Sequence, residues 1–193
     1  MGRPVPDSAE MAQSDLLARF ARGDMQAAEE LTDMIAPRLL RYAARMLGDP
    51  VEAEDIVQET MLRLWRLAPD WQRGQAQPLT WAFRVSSNLC TDRLRRRRGG
   101  VPELPEIVDT APGVDAALMQ RARADALEHA LMALPERQRQ AVVLRHLEGL
   151  SNPEIAEIMM VGVEAVESLT ARGKRQLAGL LRGQREELGY DDA

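Results

Sequence analysis

Between residues 52 and 68 the apolar positions recur at helical spacing. Val57, Met61, Leu64 and Ala68 cluster within about 60° on a helical wheel and predict a core-facing stripe. Just before it, Gly48 ends a helix over 37–47, Asp49 caps the next, and Pro50 suits its first position. A further helix starts at Pro78-Leu79-Thr80 and runs through Trp81 and Leu94 into a run of arginines. In the last third of the chain, Ser151 and Glu154 form an S-x-x-E capping box, and Ile155, Ala156 and Met159 supply a short apolar face. Met160-Val161-Gly162 makes a tight turn. Val163, Val166, Thr170, Gly173 and Leu177 then share one side of a final helix. These periods, with no alternating β-branched run, predict an all-α protein.

The pattern breaks once. Residues 99–115 hold three prolines and three glycines, a density of breakers that predicts an extended linker. It divides a helical block over 10–98 from another over 116–182. Residues 1–9, with Pro4 and Pro6, are expected to be disordered, and 183–193 form an acidic tail.

Charge changes the picture through its distribution. The net charge is −5, but Glu103, Glu106, Asp109 and Asp115 concentrate acid in the linker, and Glu186, Glu187, Asp191 and Asp192 in the tail. Directly before the linker, Arg93, Arg95, Arg96, Arg97 and Arg98 put five cations in six positions. A local patch, rather than net charge, sets phosphate binding. No apolar run approaches the roughly 20 residues of a membrane helix, and the N-terminus lacks a signal-peptide core. A lone cysteine, Cys90, excludes an internal disulfide, fits a reducing cytoplasm, and is expected to be buried and inert. His129 and His146 lie far from other Cys or His, so no metal is expected. There is no Ser-His-Asp order, phosphate loop or Gly-rich nucleotide turn, so neither catalysis nor a cofactor is expected.

Three helix faces carry candidate chemistry. On the final helix Glu164, Ala165, Ser168, Arg172 and Arg175 lie opposite the apolar stripe. Short polar groups at the start and cations further along suit a recognition helix, and equally a solvated hairpin helix. On the 52–68 helix Asp55, Gln58, Glu59 and Leu62 form either a docking face or a charged face with one stray leucine. The helix from Pro78 combines aromatics, small polar groups and arginines. That mixture suits stacking, base-edge contact and phosphate clamping, although Phe83 and Leu94 are core candidates and Trp81 reads as a packed ring.

Ala53-Glu54-Asp55-Ile56-Val57-Gln58-Glu59-Thr60-Met61-Leu62-Arg63-Leu64-Trp65 resembles the core-polymerase-binding helix of bacterial extracytoplasmic-function (ECF) sigma factors, two-domain members of the sigma-70 family. The stretch from Thr80 to Arg96 resembles that family's promoter-opening and −10-reading helix. Leu134-Pro135-Glu136-Arg137-Gln138-Arg139 and Glu148-Gly149-Leu150-Ser151 resemble the start of its −35-reading domain. The three occur in family order over nearly the whole chain. The resemblance implies a sigma-2-like domain at 10–98 and a helix-turn-helix, sigma-4-like domain at 116–182. It implies that Asp55, Gln58, Glu59, Leu62 and Trp65 meet core RNA polymerase, at the β′ clamp, with β as a further contact. Trp81, Arg84, Ser87, Asn88, Arg93, Arg95 and Arg96 would read and melt the −10 region, and Glu164, Ala165, Ser168, Arg172 and Arg175 the −35 element. The acidic linker would mimic nucleic acid in a basic polymerase channel. With only a short stretch after Arg182, control is expected from outside, by an anti-sigma factor, in the cytoplasm and without membrane insertion. The chain departs from the family at Met160, where glycine is usual, at Gly162, a usual serine cap, and at Glu167, commonly basic. The first two put the turn, and the angle of the reading helix, in question, and Glu167 implies weaker phosphate attraction at its position. The competing reading is a helix-turn-helix regulator that binds duplex operator DNA as a symmetric dimer without polymerase.

Overall fold

The computed structural model describes residues 8–72, 77–99 and 115–182. Among these, all regular structure is helical: α1 (Ser8–Phe20), α2 (Met25–Leu47), α3 (Pro50–Leu67), α4 (Pro78–Gly99), α5 (Asp115–Met132), α6 (Glu136–Val142), α7 (Asn152–Met159) and α8 (Val163–Arg182). A 3-10 turn (Ala68–Asp70) follows α3, and a π-helical turn (Val143–Leu147) follows α6. The expected linker, apart from its two ends, and the acidic tail lie outside the described residues, as does the N-terminal segment before Ser8.

Two boundaries differ from the sequence reading. Helix α1 already begins at Ser8, inside the stretch expected to be disordered. Helix α2 begins at Met25 and runs straight through Pro37 rather than starting there. Its buried ladder of Leu31, Ile35, Leu39, Tyr42 and Met46 crosses the proline, while Pro37 and Asp33 lie on the exposed side. The carbonyl that loses its partner there faces water, which reduces the usual cost of an interior proline.

Caps fix the helix ends. Asp24 accepts from the Ala27 N–H at 3.2 Å and opens α2. Gly48, left-handed at φ 67°, closes it by donating to the Ala44 carbonyl at 2.8 Å. Asp49 then accepts from Val51 and Glu52 at 2.9 and 3.1 Å. Of the predicted α3 stripe, Met61, Leu64 and Ala68 are buried and Val57 is half-buried; Ala53, Ile56 and Thr60 widen the buried face. The core of α1–α4 centres on Tyr42 and Phe83, packed edge-to-face at 5.4 Å, and on a buried Thr60–Ser86 hydroxyl pair at 3.0 Å.

In the C-terminal block α8 packs on α6 through a bare backbone. A Cβ at Gly173 would meet Val142 Cγ2 at 2.7 Å and the Gln138 carbonyl at 3.1 Å. Val166 is fully buried, and Leu177 packs partly against the core. Val163, expected on the same stripe, stands at the first position of α8 and is exposed. The block as a whole lies against α2 and α4, with the Met132 side chain reaching the surface of Gly48.

Candidate docking and nucleic-acid interfaces

Because the stripe of α3 is committed to the core, its opposite side is left in solvent. Asp55, Gln58 and Leu62 are exposed, Leu62 at 43%. Glu59 is half-exposed and accepts from Arg63 Nε at 2.7 Å. These four form one acidic and amide face with a leucine at its C-terminal end. Trp65 does not belong to it in the same way. Its ring is half-buried and lies 4.7 Å from that of Phe20, so it fastens α1 to α3.

Helix α4 is more entangled. Trp81 is half-buried, edge-on to Trp71 at 6.1 Å. Arg84 is half-exposed and Asn88 exposed. Ser87 is buried: its hydroxyl accepts from Gln140 Nε2 of α6, so the C-terminal block covers it. Arg93 lies 3.7 Å from Glu52 and 3.9 Å from Asp55, which ties the α4 cations to the α3 face. Arg95 pairs with Asp92 at 3.2 Å, and Arg96 is exposed. Sequence reasoning missed two side chains here. Arg97 donates to the Leu47 carbonyl at 2.8 Å and pairs with Glu52 at 2.8 Å and Asp49 at 3.5 Å. Arg98 pairs with Glu136 of α6 at 3.1 Å. Both looked like further members of a phosphate-binding run; only the carboxylates crowded at the start of α3 hinted otherwise.

The helix-turn-helix is built as the caps predict. Ser151 and Glu154 form the reciprocal capping box. Met160 takes the left-handed conformation, φ 51° and ψ 51°, that glycine would adopt without strain. The departure from the family pattern therefore leaves the turn in place, at a local cost of about 1 kcal/mol. Gly162 performs the cap through its backbone, its carbonyl accepting from Ala165 and Val166 at 3.0 and 3.2 Å. Beyond it Glu164, Ser168, Arg172 and Arg175 are all exposed and Ala165 half-exposed. Arg172 donates to the Ser168 hydroxyl at 2.8 Å, which holds the guanidinium along the helix surface. Glu167 is exposed and accepts from Asn152 Nδ2 of α7 at 3.4 Å.

The remaining candidates stay structural. Cys90 is fully buried, and burial pushes its thiol up to about 12. His129 and His146 are exposed; partial burial, then Lys174 and Arg145, lower the His146 pKa. Among the described residues no cluster of His, Cys, Asp and Glu could hold a metal ion, and no helix is long and apolar enough to cross a membrane.

Comparison with known proteins follows the same division. Residues 31–99 match the family Sigma-70 region 2, and residues 118–177 match Sigma-70, region 4. The ECF RNA polymerase sigma factor SigM of Mycobacterium tuberculosis is 34% identical over 172 residues, 89% of this chain and 86% of that protein. SigE of Mycolicibacterium smegmatis, also an ECF RNA polymerase sigma factor, is 38% identical over 170 residues; the match spans 83% of this chain but only 65% of that protein's length. Among solved structures, CnrH in complex with the cytosolic domain of CnrY is similar with a TM-score of 0.69 and 26% identity, over 89% of this chain and 98% of that one.

Proposed function

The chain belongs to the ECF sigma factors of the sigma-70 family, and on that premise we propose that it binds core RNA polymerase and directs promoter recognition and transcription initiation. Asp55, Gln58, Glu59 and Leu62 of α3 form the docking face for the β′ clamp, and Trp65 holds that face in position from behind. In α4, Asn88 and Arg84 meet the −10 strand, Arg95 and Arg96 its phosphates, and Ser87 joins them once uncovered. Trp81 and Arg93 support this helix through Trp71 and through the α3 carboxylates. Glu164, Ala165 and Ser168 face −35 base edges, with Arg172 and Arg175 on the phosphates. The protein supplies recognition to a polymerase that does the chemistry, so it is not itself an enzyme, and it acts in the cytoplasm where that polymerase works. An anti-sigma factor is its natural regulator, as the similar structure holding a second protein's cytosolic domain suggests.

The observation that carries this reading is the exposed face of α3. Asp55, Gln58 and Leu62 are exposed opposite buried Met61 and Leu64, so docking there needs no unfolding. Run-off transcription with purified core polymerase and genomic fragments tests it. Discrete start sites that need wild-type protein, and vanish when Asp55, Gln58 and Glu59 become alanine, are expected. Specific duplex binding without any core association would favour a conventional helix-turn-helix regulator instead.

A further inference from the structure

Three arginines of α2, Arg38, Arg41 and Arg45, stand at i, i+3 and i+7 and share one face of the helix. Glu148, from the turn before α7, sits among them with its side chain 1% exposed. Its Oε2 accepts from Arg38 Nε at 3.3 Å, and Arg38 also donates to its backbone carbonyl. Its Oε1 lies 3.7 Å from Arg41 and 3.9 Å from Arg45 and has no hydrogen-bond partner. Arg45 donates at 3.0 Å to a second carboxylate, Glu128 of α5. Both acids come from the C-terminal block and all three cations from the N-terminal one.

This pairing is unsaturated. Each guanidinium carries several donors in a planar fork, whereas one carboxylate oxygen of Glu148 is buried without a bond. A phosphate, with more oxygens and a geometry that accepts bidentate forks, matches such a row better than a carboxylate does. The arginines keep 30%, 51% and 21% of their side-chain surface exposed, so they are not sealed into a core. One end of the row touches α4: the Arg38 guanidinium lies 5.6 Å from the centre of the buried Phe83 ring. The C-terminal block that covers the row also covers Ser87 and pairs with Arg98.

We propose that Arg38, Arg41 and Arg45 form a phosphate-binding surface for the DNA strand read by α4, occupied by Glu148 and Glu128 while the C-terminal block is docked. The identity of the strand rests on the sigma-factor reading. Docking and DNA then compete for the same cations. Removing a buried carboxylate from water is offset by its partners only in part, so the exchange is close to balanced and reversible.

The test uses the full chain, with dyes placed through Arg22→Cys and Ala178→Cys, both exposed, while Cys90 stays buried. Glu148→Gln is expected to lengthen the inter-dye distance and to tighten binding of a labelled mixed-sequence single-stranded DNA by about tenfold, because it raises the open fraction. Glu128→Gln, at a half-exposed site, is expected to gain about twofold. It carries the test if the first variant fails to fold. Adding Arg41→Gln to either should abolish the gain and flatten the salt dependence by about 0.7 in slope per cation lost. The proposal is overturned if the dyes separate while DNA affinity ignores Arg41. It is also overturned if poly-glutamate of matched charge occupies the surface as well as DNA does. Core-polymerase binding by the wild type, measured in parallel, keeps the two readings apart. Its absence alongside Arg41-dependent DNA binding would remove the sigma-factor reading and leave the phosphate surface standing.

Discussion

Helices α4 and α8 are both proposed strand readers, and they differ in what the rest of the chain asks of them. On α8 the reading residues have one task. Glu164 and Arg175 are exposed, and Ser168 and Arg172 bond mainly to each other. On α4 three of the seven candidates are engaged elsewhere, Trp81 with Trp71, Ser87 with Gln140, Arg93 with Glu52 and Asp55, while Asn88 and Arg96 stay exposed. A helix at the edge of a small domain can present its chemistry permanently. One at the centre of a bundle presents only what its neighbours leave uncovered. The proposed −35 face is therefore fully presented in this arrangement, and the proposed −10 face only in part.

The comparison can be broken most forcefully at the base of α8. Gly173→Val should destabilise the C-terminal block by about 3 kcal/mol, since even a Cβ overlaps Val142 and the Gln138 backbone. Denaturant unfolding checks this, and unchanged stability would mean that α8 is not seated on α6 as described.

A smaller effect separates the two readers by sequence preference. Glu164→Gln should change the preferred −35 base by about 1–3 kcal/mol at one position and leave the −10 preference alone. Asn88→Ala should do the reverse, while Arg96→Ala lowers affinity for many promoters alike. Selection from randomised promoter libraries with the holoenzyme decides among them. An unaltered −35 consensus for Glu164→Gln would reduce that carboxylate to a partner of the positive end of the helix, worth a few tenths of a kcal/mol.

Met160→Gly should stabilise the C-terminal block by about 0.5–1 kcal/mol, by relieving a left-handed methionine at φ 51° despite the extra freedom of the unfolded chain. A thermal midpoint that fell would show that the exposed methionine contributes packing the geometry does not reveal. The smallest change belongs to Gly162→Ser. A Cβ there meets nothing within 4 Å, and a hydroxyl cap adds only a few tenths of a kcal/mol. Paired with Met160→Gly, it asks whether a stiffer turn narrows the spread of −35 sites accepted.

What was legible in the sequence follows the same divide. The exposed face of α8, the capping box and the α3 stripe are local patterns, readable from a few turns of helix, and they stand nearly where spacing put them. Val163, at the first position of α8, departs from its stripe. The duties of Trp65, Ser87, Arg93 and Arg97 were illegible for a shared reason. Their partners Phe20, Gln140, Glu52 and Leu47 lie far along the chain, and no periodicity encodes a contact across that separation. Pro37 misled in the opposite sense. Its local rule was sound, but a buried ladder on the far side of the helix outweighed it.

Arg97 has one further consequence. A single guanidinium holds the last carbonyl of α2, the cap of α3 and the first-turn acid Glu52, from near the end of α4. Three helix ends thus meet at one partly exposed side chain. Arg97 is therefore occupied within the fold, and a phosphate at the tip of α4 would meet it only at the expense of these contacts.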